Sequence, residues 1–175
     1  EAVLAEGVRG GYAGVYGVLK VLEERGLTRR GYFVAGLGAA QFSLPGAVDR
    51  LRSLRDTPDR ELHPADAEAP VVLAATDPAQ PYGAAIAWPA SPGRPARAAG
   101  ALVVSRSGVP LVWFERRSHH VVTFPAAADD TGWAEALARL VKDGRARSVE
   151  VRKVDGEPIT PAMPAAAALQ AAGFV

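Results

Sequence analysis

The sequence predicts an α+β fold, in which a small helical unit precedes an antiparallel β-sheet or small β-barrel module with covering helices. Two observations support this prediction. Early in the chain the apolar residues recur at helical spacing, whereas from Val71 onward they form short runs rich in β-branched and aromatic side chains. Between the two parts lies a stretch rich in proline and acidic residues, so we expect two units joined by a linker.

A helix is predicted from Tyr12 to Arg25, because apolar residues there follow the i, i+3, i+4, i+7 spacing of an amphipathic helix, at Val15, Val18, Leu19 and Leu22. Gly26 follows, and glycine readily takes the left-handed conformation that ends a helix. The chain begins at Glu1 without a methionine and with a run that favours a helix. We therefore expect a piece of a longer protein with a further helix at its start.

Two short strands around a Gly-rich turn are predicted between Gly31 and Gly46, leading into a helix from Pro45 to Arg55 with the proline in its first turn. The apolar stripe of this helix is expected at Val48, Leu51 and Leu54. The order of helix, turn, helix, two-stranded wing and helix is that of a winged helix-turn-helix, a module that nucleic-acid-binding proteins use. We therefore predict a winged helix at residues 1–56 and an acidic, proline-containing linker at residues 57–70.

Residues 71–175 are predicted to form the antiparallel β/α module. Its expected strands are Val71–Thr76, Gly83–Trp88, Gly100–Ser105, Leu111–Arg116, Val121–Phe124 and Ser148–Val154. The segment from Ser105 to Pro110 is typical of a hairpin turn, which favours antiparallel pairing. Helices are expected at 130–142 and 165–172. The adjacent Asp129 and Asp130 are interpreted as capping residues rather than as acid/base catalysts or metal ligands.

The composition excludes several classes of protein. The formal net charge is +1, from 20 basic and 19 acidic residues, so any affinity for DNA must be local. There is no cysteine, which excludes disulfides and thiolate metal sites. The sequence has no apolar run of membrane-spanning length and no export signal pattern. We expect a cytoplasmic location and no membrane partner.

Catalytic signatures are missing. The glycine cluster near the start of the chain lacks the Gly-Lys-Ser/Thr ending of a phosphate-binding loop, because Lys20 is followed by Val21. Neither a Gly-x-Ser-x-Gly elbow nor a His-Glu-x-x-His pair occurs. The polar cluster Glu115–His120 is interpreted as a turn, since it offers no third metal ligand at a suitable spacing. We expect neither a metal site nor a catalytic residue.

Eight residues are candidates for contacts with DNA. On the predicted second helix they are Tyr12, Tyr16 and Lys20. The others are arginines, a residue type that suits bidentate phosphate contacts. They are Arg9 before the helix, Arg29 and Arg30 on the first wing strand, and Arg116 and Arg117 in the polar turn. For Arg116 and Arg117, contact with a partner subunit is the alternative. Against a DNA role, the helix ends in Glu23 and Glu24 and the wing tip carries no charge. Packing between domains is therefore a competing interpretation.

Two runs of the sequence resemble a known family. They are Arg29–Phe42, which continues as Pro45–Arg52, and Ala75–Ala84. They resemble the C-terminal segment of bacterial large helicase-related proteins of the Lhr type, the first run being similar to the last winged helix. The resemblance implies a superfamily 2 ATP-dependent DNA helicase that acts in DNA repair. It also implies tandem winged helices followed by a β-barrel-like module, similarity to AlkZ-type DNA glycosylases, and an association of this region with self-assembly.

The resemblance transfers no catalytic residue. The helicase ATPase motifs are absent from this chain, so the resemblance implies that ATP and Mg bind elsewhere in the parent protein. Gln41 does not form the Gln-x-Gln pair of the glycosylases, because Ala39 and Ser43 stand two places away. We expect a non-catalytic C-terminal accessory segment that contributes DNA binding, self-assembly or both, with DNA, the rest of the helicase chain and a second copy as its candidate partners. The alternatives are a purely structural oligomerisation module and part of a glycosylase-like region.

Overall fold

The computed structural model describes residue 3 and residues 7–38, 40–55 and 69–175, without the side chains of Leu54 and Arg55. The chain divides into two compact units. We call Glu1–Ala67 with Ala84–Ile86 the winged unit, and Glu68–Gly83 with Ala87–Val175 the sheet unit. Most of the predicted linker lies outside the described residues, so the predicted boundaries of the linker and of its neighbours stay predictions.

From its second predicted helix onward, the winged unit contains the predicted order of helix, wing and helix. The helix predicted at the start of the chain lies mostly outside the described residues. The elements of the winged unit are α1 (Gly11–Glu24), β1 (Arg29–Gly31), β2 (Gln41–Ser43) and α2 (Ala47–Arg55). The strands β1 and β2 pair antiparallel, with Arg29 opposite Ser43. As predicted, α1 ends before Gly26, which has φ +70°. The N–H groups of Gly26 and Leu27 donate to the carbonyls of Glu23 and Leu22, each at 2.9 Å, which is the Schellman arrangement that closes a helix.

The start of α2 differs from the prediction. The helix begins at Ala47 and not at Pro45, because Gly46 has φ +85°, a left-handed conformation that an α-helix does not contain. The N–H of Ala47 closes the preceding turn on the carbonyl of Leu44 at 3.2 Å. The predicted apolar stripe is also not buried where the structure describes it, since Leu51 is 49% exposed.

The sheet unit is built on an open six-stranded sheet in the order β3-β4-β5-β6-β7-β8. The strands are Val71–Ala74, Ala101–Arg106, Val109–Glu115, His120–Thr123, Lys153–Val154 and Glu157–Pro158. All neighbours pair antiparallel except β6 and β7, which are parallel. The described strands thus form the predicted sheet and not the barrel alternative, because β3 and β8 remain its two edges.

Helices cover one face of this sheet. They are a 3₁₀ turn at Pro125–Ala128, α3 at Gly132–Lys142 and α4 at Pro164–Ala171. Because side chains alternate along a strand, the central strands contribute side chains to two separate cores, one on each face of the sheet. Val104, Val112 and Val121 join the core under α3, around Trp133 and Leu137. The opposite face forms a smaller core of Ala75, Ala101, Val103, Trp113, Val122 and Phe124.

Two predicted strands are wrong in whole or in part. Residues 83–85 form a turn, and no strand spans the predicted Gly83–Trp88. Trp88 instead stacks on Tyr82 and Phe124, with ring centroids 6.0 and 5.8 Å away. The predicted strand Ser148–Val154 pairs only at its last two residues, Lys153–Val154.

Candidate nucleic-acid interface

The two tyrosines predicted to contact DNA lie between α1 and the wing. The Tyr12 hydroxyl donates to the carbonyl of Ala40, and the Tyr12 and Tyr16 rings lie 5.6 Å apart. Tyr16 in turn meets the Phe42 ring edge-on at 6.1 Å. Both tyrosines are only partly exposed, so the structure gives them a packing role within the winged unit. Their predicted DNA contacts stay predictions.

The wing loop is held by the side chain of one residue, Gln41. Its amide oxygen accepts from the N–H groups of Phe33 and Val34, each at 2.9 Å. Its amide nitrogen donates to the carbonyls of Val34 and Leu37 at 3.0 and 3.1 Å. Four hydrogen bonds therefore shape this loop, and they occupy both ends of the Gln41 amide.

The cations of the winged unit are partly neutralised. The Lys20 ammonium lies 4.0 Å from Glu24, and the Arg30 guanidinium lies 3.2 Å from Glu23. Arg9 and Arg29 are exposed and form no ion pair with any described residue. Of the six candidates in this unit, these two arginines are the ones whose charge is left for an external anion.

The apolar side chains that the structure describes in the winged unit are not buried. Among its described residues only Thr28 is buried, and every described apolar residue that is buried lies at or beyond Val72. The exposed apolar residues of the winged unit are Val8, Val18, Val21, Leu27, Tyr32, Val34, Leu44 and Leu51. On α1 they join small residues, because Gly14, Gly17, Val18 and Val21 share the exposed side of the helix.

The remaining two candidates, Arg116 and Arg117, lie in the turn between β5 and β6, which confirms the predicted turn. Both are exposed, and neither forms an ion pair or hydrogen bond with a described residue. His119 in the same turn has φ +54° and its ring lies 3.6 Å from the Glu150 carboxylate. Arg116 and Arg117 line a concave surface of about 760 Å³.

Of the two adjacent carboxylates before α3, Asp130 has the capping role that the sequence predicted, whereas the exposed Asp129 caps no N–H group of a described residue. Asp130 accepts from the N–H of Gly132 at 2.9 Å, so it caps the helix, which begins two residues later than predicted. The same carboxylate receives two hydrogen bonds from Arg106 of β4, at 2.5 and 3.0 Å. The hydrogen bond from Arg106 lowers the pKa of Asp130, while the pKa of Arg106 is raised. The pair joins α3 to the sheet.

The described residues offer little to a catalytic interpretation. They contain no cluster of three or more histidine, aspartate or glutamate side chains able to hold a metal ion. Trp113 and Trp133 are buried in the two cores and Trp88 is stacked, so these aromatics have structural roles. No described helix is long and apolar enough to cross a membrane.

Comparisons with known proteins agree with the winged architecture. Residues 1–63 match the family model for the winged-helix domain of the large helicase-related protein. Over 159 residues the chain is 50% identical to the Lhr helicase/probable uracil glycosylase of Mycolicibacterium smegmatis, covering 89% of this chain. The chain belongs to the large helicase-related family. It is also 40% identical over 115 residues, or 65% of its length, to the Lhr helicase/uracil glycosylase of Escherichia coli. The chain spans 10% and 7% of these two large helicase-related proteins.

Sequence reasoning missed a buried polar anchor in the second run that resembled the large helicase-related family. The Gln80 side chain is 2% exposed, and its amide nitrogen donates to the carbonyls of Ala75 and Tyr82 at 3.1 and 2.9 Å. Arg97 donates to the carbonyls of Gln80 and Thr76. A glutamine or an arginine in a loop sequence does not by itself indicate that its side chain holds the loop together. The partners of Gln80 and Arg97 are backbone carbonyls, which only the folded chain brings close to them.

Proposed function

We propose that this chain is a non-catalytic accessory segment of a superfamily 2 ATP-dependent DNA helicase, and that its winged unit docks onto another part of the same polypeptide. The helicase names of the two relatives support the parent activity, and the small share of each relative that the chain spans leaves most of such a polypeptide as partner. ATP and Mg are assigned to that remainder.

The exposed apolar surface of the winged unit carries the docking proposal. Val18 and Val21 are 62% and 45% exposed on one side of α1. Removing their exposed surface from water would contribute about 1 kcal/mol each. Gly17, on the same side of α1, leaves room for another backbone to approach, because no atom lies within 4 Å of the position that a Cβ would take there, and the distance between packed helices depends on the side chains at the contact.

The charges of the winged unit favour docking over DNA recognition. A helix and wing that bind DNA place cations against phosphates, yet Lys20 and Arg30 lie beside Glu24 and Glu23. The wing tip at 34–38 has no charged residue. An anionic duplex next to this helix end would meet carboxylates as well as cations.

DNA binding by the winged unit is the second candidate function. Exposed Arg9 and Arg29, which have no ion-pair partner among the described residues, favour it. Self-assembly is the third candidate function, because a second copy of this chain has the same exposed apolar residues on α1, and two copies could bury them against each other. The three candidates differ in what covers α1.

Paired serine substitutions test the docking proposal. We expect Val18→Ser/Val21→Ser to leave the melting temperature of the 175-residue chain nearly unchanged, because both side chains are exposed there. In the full-length protein the same pair should release the segment and speed its proteolysis severalfold. The control pair is Val71→Ser/Val109→Ser, because Val71 and Val109 are similarly exposed, at 54% and 50%, but lie on the sheet unit.

Equal proteolysis of the two full-length variants would contradict docking through α1. Light scattering on the 175-residue chain separates the self-assembly candidate. A dimer or larger species that Val18→Ser/Val21→Ser dissociates would mean that a second copy covers this face.

A further inference from the structure

We propose that the concave surface beside the β5–β6 turn of the sheet unit binds the phosphate backbone of a nucleic acid. This inference is independent of the docking proposal, since it concerns a different unit and different side chains. We call this surface the arginine cleft. Its lining residues fall in three segments, namely 98–100, 114–119 without Ser118, and 148–150.

The cleft is concave and large enough for a phosphodiester. Its volume is about 760 Å³, within the range of ligand sites. One wall is the small-residue segment Ala98–Gly100, which lets a ligand approach the backbone. The β5–β6 turn supplies Arg116, Arg117 and His119.

The carboxylates that line the cleft are already engaged. The Ser118 hydroxyl donates to Glu115 at 2.5 Å. Arg152 donates to both oxygens of Glu150 at 2.8 and 3.2 Å, and these hydrogen bonds lower the pKa of Glu150. Arg116 and Arg117 have no carboxylate partner among the described residues. Their two charges are therefore left for an external anion.

Two more arginines precede the wall at Ser148. Arg145 and Arg147 are exposed and, in the described part of the chain, have no ion-pair partner. Arg147 is the direct neighbour of a lining residue, so it extends the positive surface from the cleft. Since the whole chain has a net charge of only +1, these arginines form a local positive surface on a nearly neutral molecule.

The chemistry favours a nucleic acid over an acidic peptide. Guanidinium groups pair bidentately with phosphate oxygens. A peptide interface normally needs an apolar anchor at its centre, but the one aromatic residue of the lining, Phe114, is 1% exposed. The cleft also lacks an exposed aromatic platform on which a base would stack. We infer contacts with the backbone that do not depend on base sequence.

The test is a fluorescence-anisotropy titration of the 175-residue chain with single-stranded and duplex DNA, at several salt concentrations. We expect Arg116→Ala/Arg117→Ala to weaken binding at low salt at least about fivefold. The slope of log K against log salt should become shallower by about one unit for each phosphate that the variant no longer neutralises. Arg145→Ala/Arg147→Ala should act in the same direction. The control, Arg94→Ala/Arg139→Ala, removes the same charge from residues that do not line the cleft and should keep the parent slope.

Three results would overturn the inference. The first is absence of DNA binding at low salt. The second is a loss of DNA affinity that does not depend on the cleft. Either the cleft variant and the control bind DNA equally weakly, or only Arg9→Ala/Arg29→Ala weakens binding, which would place DNA on the winged unit. The third is competition by polyglutamate as strong as that by DNA of equal charge, which would point to an acidic protein partner. The first and third results do not bear on whether α1 docks onto the parent chain, whereas DNA on the winged unit would favour the second candidate function.

Discussion

The ion pair between Arg106 and Asp130 should contribute measurably to the stability of the sheet unit. Two hydrogen bonds join the side chains, which are 27% and 23% exposed. Hydrogen bonds to charged groups contribute about 1.5–3 kcal/mol when buried, and partial exposure reduces this, so we expect Asp130→Asn to cost about 1–2 kcal/mol. Asp130→Ala also removes the helix cap at Gly132 and should cost about 1 kcal/mol more.

The effect of pH on this pair has a definite sign. Hydrogen bonding to Arg106 lowers the pKa of Asp130 in the folded protein. The stabilisation is therefore fully present above the pKa of the unfolded chain, about 3.9, and is lost as the pH falls through the folded pKa. The difference in free energy of unfolding between the parent chain and Asp130→Asn should be constant near neutral pH and shrink below about pH 4.

Thermal unfolding followed by circular dichroism at several pH values measures this difference. At pH 7, Asp130→Asn should lower the melting temperature by about 2–8 °C for a chain of this size. Asp129→Asn is the matched control, because Asp129 is exposed and forms no ion pair with a described residue. Equal stability of Asp130→Asn and the parent at pH 7, or a difference that persists unchanged to pH 3, would refute the reasoning.

Two further substitutions test the packing of single residues. Gly83→Ala should destabilise the chain by about 1–3 kcal/mol, since Gly83 has φ +75° and its Cβ would overlap the Trp88 indole. A red-shifted tryptophan emission with a lower melting temperature would accompany this, and an unchanged melting temperature would contradict it. Gln41→Ala should speed hydrogen exchange at Phe33 and Val34, because their N–H groups lose the side-chain oxygen that accepts from them. Gln41→Glu is the control, since it keeps an oxygen that can accept both hydrogen bonds. Equal exchange in Gln41→Ala and the parent would mean that this side chain does not hold the loop.

Local signals predicted α1 and the pairing of the wing strands well. The apolar spacing before Gly26 located α1 within one residue at each end, and the glycine ended it through its left-handed conformation. The hairpin at Ser107 and Gly108 was also predictable, because both residues take the positive φ that a tight two-residue turn requires. These features depend on neighbours in sequence.

Features that depend on distant neighbours were not predictable. The aromatic composition around Trp88 suggested a strand, but the indole is partly buried and stacks on Phe124, which lies far along the chain. Sequence alone also left Arg29 and Arg30 equivalent. The fold separates them, because Arg30 lies against Glu23 whereas Arg29 has no described partner. The availability of an arginine for DNA is a property of its tertiary surroundings.

Hydrogen–deuterium exchange tests the docking proposal most directly. The comparison is between the 175-residue chain alone and the full-length protein, followed on peptides from α1 and the wing. Docking should slow exchange in Gly11–Glu24 and Arg29–Ser43 in the full-length protein, because burial of Val18, Val21 and Leu44 stabilises these elements against local opening. Identical exchange of these peptides in the two proteins would contradict the proposal that the winged unit is a docking element.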